Sequence, residues 1–177
     1  MVGNRRLHWL PTTGANPPKL TKRSSKKREL PEPVFFVDRS LGKKALPDVL
    51  RSSGWQIECH ETHFPKNANN PEVSDVEWIN FAGSKGWMIL TADNCTLSNP
   101  LETKALMECG TLVFMLGRRN DKTGEQMAGI FAEHKNEIWR KIKNHKPPGI
   151  FKVTGGKDGS VRQYIPKYYQ PTGSGGL

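Results

Sequence analysis

The 177-residue chain has no long hydrophobic run: its longest is Leu112-Val113-Phe114-Met115-Leu116, five residues. A membrane-spanning helix needs about 18 or more, so none is expected. Arg5 and Arg6 supply early positive charge, but no apolar stretch follows, so a secretory signal is not expected either. Cysteine is scarce. Cys59, Cys95 and Cys109 are odd in number and widely spaced, with no C-x-x-C, which excludes a zinc knuckle and argues against a disulfide framework. A reducing cytoplasm is the expected compartment. There is no glycine signature for a dinucleotide, and Leu41-Gly42-Lys43-Lys44 lacks the upstream glycine of a P-loop. No segment repeats. Of five histidines only His60 and His63 are close, and an isolated H-x-x-H reads as a solvated loop pair.

Acidic residues are in deficit, 17 against 27 Lys and Arg, for a net charge of +10. The excess is uneven. Residues 1–33 hold eight basic and two acidic residues with five prolines, and their apolar residues are scattered. Such a segment buries too little surface to offset its ordering entropy, so it is expected to be a disordered basic arm. The cluster Lys19, Lys22, Arg23, Lys26, Lys27, Arg28 would attract polyanions, and a solvated tail or an arm docking on a protein fits equally. Residues 166–177, rich in Gly and Pro, are expected to be a flexible tail.

Between these ends, residues 34–165 read as one domain. Val34–Val37, Trp55–Cys59, Trp87–Leu90 and Leu112–Leu116 are short apolar or alternating runs suited to strands. Helical stretches separate them: Leu41 to Ser53 with Pro47 as a kink or a late start, Ser74 to Lys85, and Leu101 to Cys109. His60 to Val73 reads as a loop. Thr123 to Asn144 reads as one long amphipathic helix, with Met127, Ile130, Phe131, Ile138, Trp139 and Ile142 at helical spacing. Ile150–Thr154 and Val161–Ile165 flank a turn containing Asp158-Gly159 and read as a hairpin. Strands alternating with helices imply a three-layer α/β/α sandwich around a mostly parallel sheet, with a C-terminal hairpin.

The acids are the informative feature. Asp38 directly follows the first apolar strand and Asp93 follows the third. Ligands of open α/β sheets bind beyond the carboxyl ends of the strands, so both fall on the edge where a site forms. Asp75 and Glu77 open the helix before the third strand and reach that edge only if the helix is oriented favourably. Converging carboxylates repel one another and are tolerated around a hard cation, Mg²⁺ or Mn²⁺. Structural roles compete. Ser74-x-x-Glu77 has the form of a capping box, Asp75 suits a first helical turn, and Asn99-Pro100-Leu101-Glu102 can use Glu102 as a cap. Arg39, Lys43, Lys44 and Lys104 fall near the same edge and could hold a nucleic-acid backbone, though each also reads as solvated charge. Trp78, Trp87 and Trp139 fall on apolar faces and read as core.

The order Phe35-Phe36-Val37-Asp38-Arg39-Ser40-Leu41-Gly42, Leu50 to Gly54-Trp55, Asp75-x-Glu77-Trp78 and Gly86-Trp87-Met88-Ile89-Leu90-Thr91-x-Asp93 resembles the PIN-like domains, above all the branch grouped with VapC-type toxins. The resemblance covers about residues 34–154. It implies a Rossmann-like α/β/α domain with an acidic metal pocket and Mg²⁺- or Mn²⁺-dependent ribonuclease activity. An antitoxin partner and a homodimer are also implied. By motif, Asp38 would be the first metal ligand, Asp75 the helix-borne acid and Asp93 the acid after the third strand. Thr91 would line the pocket and Glu102 would be a fourth acid. The chain departs from that pattern at Cys95, where related chains often carry an acid. The departure motivates a second reading, a catalytically weak module that binds RNA or a protein. A phosphohydrolase with Asp38 as nucleophile would place an acid two residues on, where this chain has Ser40.

Overall fold

A computed structural model describes residues 31–65, 73–92, 99–117 and 122–166. The chain divides into two units, Met1–Pro31 and Glu32–Leu177. The basic arm up to residue 30, the acid Asp93 with Cys95, and the tail from residue 167 lie outside the described residues.

The second unit holds six strands in one sheet. They are β1 (Val34–Val37), β2 (Gln56–Cys59), β3 (Met88–Thr91), β4 (Leu112–Leu116), β5 (Gly149–Thr154) and β6 (Ser160–Tyr164). Their order is β2-β1-β3-β4-β5-β6. The first five run parallel and β6 pairs antiparallel with β5. The expected hairpin is therefore present, and Gly156 takes a left-handed φ of 90° in its turn.

Six helices are described: α1 (Ala45–Ser52), α2 (His60–His63), α3 (Asp75–Ser84), α4 (Pro100–Glu108), α5 (Gly124–Glu133) and α6 (Lys135–Asn144). Side chains alternate across a strand, so the central strands β1, β3 and β4 each feed two cores. Phe35, Val37, Leu90, Phe114 and Leu116 pack with Leu46 and Leu50 of α1, Phe131 of α5 and Ile138 of α6. Phe36, Ile89, Val113 and Met115 pack with Trp78 and Ile79 of α3 and Leu106 of α4. These layers make the α/β/α sandwich. Each fully buried Phe, Leu or Ile contributes roughly 1.5–3 kcal/mol of transfer free energy.

One local feature decides between two sequence alternatives, and two others differ from the sequence expectation. The first helix starts late: a 3₁₀ turn covers Arg39–Leu41, Gly42 follows with φ 87°, and Pro47 falls in the first turn of α1, where its missing N–H costs nothing. His60 to His63 form one helical turn rather than open loop, and His60 is buried. The long helix expected from Thr123 to Asn144 breaks at His134. There the imidazole Nε2 donates to the Thr154 carbonyl of β5 at 2.9 Å. The break lets Trp139 of α6 lie against Phe35 and Trp55, with ring centroids 5.2 and 4.7 Å away. Helical periodicity cannot foresee that tertiary contact.

Helix ends follow the sequence closely. Ser74 and Glu77 form a reciprocal capping box at α3, and Thr123 and Gln126 form another at α5. Gly83 inside α3 has a packing reason: a Cβ there would lie 2.2 Å from the Cys109 carbonyl oxygen at the end of α4.

A carboxylate edge on one face of the sheet

Two rows of register place the site. Val37 of β1 pairs with Cys59 of β2 on one side and with Leu90 of β3 on the other. The next residues, Asp38, His60 and Thr91, therefore stand side by side at the carboxyl edge. Val37, Cys59 and Leu90 all belong to the first core. By strand alternation the three residues after them turn to the opposite face, that of α3 and α4.

Asp38 is 5% exposed. Its Oδ2 accepts from the Ser40 hydroxyl at 2.6 Å and from the Thr91 hydroxyl at 3.0 Å. Ser40 Oγ in turn accepts from the Ala92 backbone N–H at 3.0 Å. The 3₁₀ turn brings Ser40 back over Asp38, and the turn is closed by the Leu41 N–H donating to the Asp38 carbonyl. Burial raises the Asp38 carboxyl above its ordinary range. The Ser40 and Thr91 hydroxyls oppose that shift and the negative charge of Asp75 adds to it.

Asp75 reaches the same edge because α3 starts there. Arg39 Nη2 donates to its Oδ1 at 3.0 Å, and Trp78 Nε1 donates to the same oxygen at 2.8 Å. The Trp78 ring stacks on Phe36, with centroids 5.6 Å apart and planes 17° from parallel. The core of this face thus sets the position of the carboxylate. Arg39 and Asp75 are each 30% exposed at the side chain, so their pair is only partly screened.

His60 is 3% exposed and packs among Phe36, Phe64 and Trp78, at 6.2, 5.1 and 6.4 Å between centroids. Neither ring nitrogen has a hydrogen-bond partner among the described residues. A buried polar group left unpaired costs about 1–3 kcal/mol. Burial lowers the His60 pKa, Arg39 lowers it further, and Glu61, Asp38 and Asp75 oppose the shift. The imidazole is therefore neutral at pH 7. His63, by contrast, pairs with Glu58 at 2.9 Å.

The structure brings Asp38, Asp75, Thr91 and Arg39 together. The other candidates have local roles. Glu77 closes the capping box through Ser74, whose backbone N–H and hydroxyl hold its carboxyl below the ordinary range. Glu102 accepts from the Asn99 side-chain amide at 2.6 Å in the first turn of α4. Lys43 pairs with the half-buried Glu61 at 3.6 Å, and Lys104 pairs with Glu108 at 3.8 Å on exposed surface. Lys44 is exposed just ahead of α1. Asp93 lies outside the described residues. Sequence reasoning missed Ser40, His60 and Trp78. His60 carried a readable signal, since it directly follows a strand just as Asp38 does.

The donor set suits a hard cation in kind: carboxylate oxygens, one of them buried without a basic partner among the described residues. Asp38 and Asp75 are the residues that would hold it. No group of three His, Cys, Asp or Glu is assembled for a metal among the described residues.

Residues 33–118 match a family model described as "PIN like domain". Over 97 residues the chain is 31% identical to the Mycobacterium tuberculosis (strain ATCC 25618 / H37Rv) protein named "Putative ribonuclease VapC45", covering 55% of this chain and 69% of that protein. No solved structure matches.

Proposed function

Because this chain belongs to the PIN-like domain family, we propose that it is a divalent-metal-dependent endoribonuclease of the VapC toxin type. The observation that supports this most is the Asp38–Asp75 pair: two carboxylates at one sheet edge, each fixed by its own donors. A Mg²⁺ or Mn²⁺ ion held there would supply a lowered pKa for water and an offset for charge building on a phosphoryl group. Asp38 and Asp75 would hold the cation, and the family resemblance assigns Asp93 as the third acid.

The remaining residues position and select. Ser40 and Thr91 hold Asp38 Oδ2, so the carboxylate is oriented before the cation arrives. Trp78 does the same for Asp75. Arg39 stands on Asp75 and is the cation best placed to meet an RNA phosphate, as its guanidinium fork matches phosphate geometry. Lys43, Lys44 and Lys104, with the basic arm 1–33, extend the attraction to the RNA backbone. Partners on this reading are RNA, an antitoxin protein and a second copy of the chain, and the compartment is the cytoplasm. Among the described residues no helix is long and apolar enough to cross a membrane.

A second reading is a catalytically weak module that binds RNA or a protein. One observation favours it: the chain has Cys95 where, by the family resemblance, related chains often carry an acid.

The deciding experiment incubates the protein with a mixed RNA pool in Mn²⁺, in Mg²⁺ and in EDTA, beside an Asp38→Asn/Asp93→Asn double variant. Cleavage that needs the metal and vanishes in the double variant establishes the nuclease. RNA retention without turnover, weakening steeply with salt, establishes the binding module instead.

A further inference from the structure

One register row crosses the sheet from the carboxylate edge to the C-terminal hairpin. Asp38 follows the Val37–Leu90 pair and so stands opposite Thr91. Thr91 pairs with Met115, Met115 with Lys152, and Lys152 with Arg162. By strand alternation all five turn to the face of α3 and α4. Met115, in the middle, is buried in the apolar core of that face. The two ends of the row are charged: a carboxylate on one side, an ammonium and a guanidinium on the other. Neighbouring strands are about 4.8 Å apart, which puts Lys152 about 14 Å and Arg162 about 19 Å from Asp38 along the row.

Lys152 and Arg162 are like charges directly opposite each other on one face, an arrangement that destabilises a strand pair. Neither has an acidic partner among the described residues. Edge protection explains Arg162 alone: β6 is the last strand of the sheet, and a charge there blocks pairing with another chain. Lys152 lies on an inner strand and has no such reason. Its stem also has a place made for it, since a Cβ at Gly117 would lie 2.6 Å from Lys152 Cε. Gly117 follows β4 at the carboxyl edge, so the stem runs towards the edge that carries Asp38. The hairpin lies beyond residues 33–118, the part that matches the family model.

We propose that Lys152 and Arg162 form a second phosphate subsite for a single strand of RNA, a few nucleotides away from the phosphate at Asp38 and Asp75. A phosphate between the two cations offsets the repulsion that the pair otherwise carries. The guanidinium fork of Arg162 matches two phosphate oxygens at once, and the Lys152 ammonium adds a point charge. Because Met115 is buried, a strand joining the two sites passes along the carboxyl edge, where the Lys152 stem leads. This inference rests on the RNA reading above and adds a length requirement to it: an RNA too short to span the row gains nothing from the pair.

The test uses the full-length protein and a single-stranded RNA of about 12 nucleotides, within the usual span of a single-strand site. Binding is followed by fluorescence anisotropy in EDTA over a series of salt concentrations, and cleavage of the same RNA in Mn²⁺. Wild type is compared with Lys152→Gln, Arg162→Gln and the double variant. Lys143→Gln is the charge-matched control, because Lys143 is exposed on α6, which covers the opposite face. Each phosphate contact contributes about 0.7 to the slope of log affinity against log salt, so each single variant should lose about 0.7 and the double variant about 1.4. Lys143→Gln should keep the wild-type slope, and cleavage of a dinucleotide should be the same in all five proteins. If Lys152→Gln does not fold, Lys152→Met keeps the stem and carries the comparison. An unchanged slope in the double variant, or an equal loss in Lys143→Gln, would overturn the subsite, and Mn²⁺-dependent cleavage in the same samples would leave the nuclease reading standing. A slope loss confined to the pair, in a protein that cleaves nothing, would support the subsite and remove the nuclease reading. A wild type that binds no RNA would overturn both.

Discussion

The two faces of the sheet are built differently. The face covered by α1, α5 and α6 is apolar from end to end: Phe35, Leu46, Leu50, Phe114, Phe131 and Ile138 are all fully buried. The face covered by α3 and α4 is equally well packed at its middle, around Phe36, Trp78, Ile79 and Ile89. At the carboxyl edge it turns polar, with Asp38, His60 and Thr91 all buried. The first face supplies cohesion. The second uses its packing to hold ionisable groups where water is scarce. The difference shows how a buried carboxylate is tolerated: aromatic stacking fixes Trp78, Trp78 fixes Asp75, and two hydroxyls fix Asp38. None of that demands a different fold from the apolar face, only polar residues at the ends of the same strands.

The comparison breaks first if the polar edge proves inert. Asp38→Asn should lower RNA cleavage about a thousandfold, the scale of losing a charge-stabilising group at a reacting phosphate. Its metal-free stability should not fall. The sign follows from burial: a carboxyl whose folded pKa is raised stabilises the fold fully only below its ordinary value of 3.8, and that contribution is lost as pH rises through the raised value. In EDTA the melting temperature of Asp38→Asn should therefore exceed wild type by a margin that widens as pH increases from about 4. A margin independent of pH would mean that Asp38 carries no such shift.

On the apolar face the expected effect is pure stability. Phe131→Ala should cost about 3–5 kcal/mol in urea unfolding. The folded fraction should cleave RNA at the wild-type rate, and a lower rate would show that the two faces are coupled. Trp78→Phe sharpens the contrast, since it keeps most of the ring volume but removes the Nε1–H that holds Asp75. Cleavage should drop about tenfold while stability changes by less than about 1.5 kcal/mol. A large stability loss with unchanged cleavage would reduce Trp78 to core packing. The smallest effect belongs to Glu77→Ala, which opens the α3 capping box. It should lower the melting temperature slightly and leave cleavage unchanged, and a cleavage defect there would return Glu77 to the site.

Much of the fold was legible because it depends on local pattern. The strand ending in Val37, the capping box at Ser74, and Asn99-Pro100 opening α4 are all short-range signals, and the structure places each where the pattern does. The break at His134 was not legible. It depends on the Thr154 carbonyl, twenty residues away in the chain. Between Asp75 and Glu77, two acids in one helical turn, the residue pattern alone left the choice open, and the family resemblance favoured Asp75. Only the packing of Trp78 on Phe36 decides which of them faces Arg39.

His60 draws the same line. By itself the sequence determined which residues end the strands: Asp38 and Thr91 follow apolar runs and His60 follows an alternating one. It also determined the parallel α/β class, through alternating hydrophobic periods. Only the tertiary structure decided that these three share one row and one face, because strand register and order are set by packing between segments distant in the chain. The same packing buried His60, which a reading of its neighbours in sequence left in solvent.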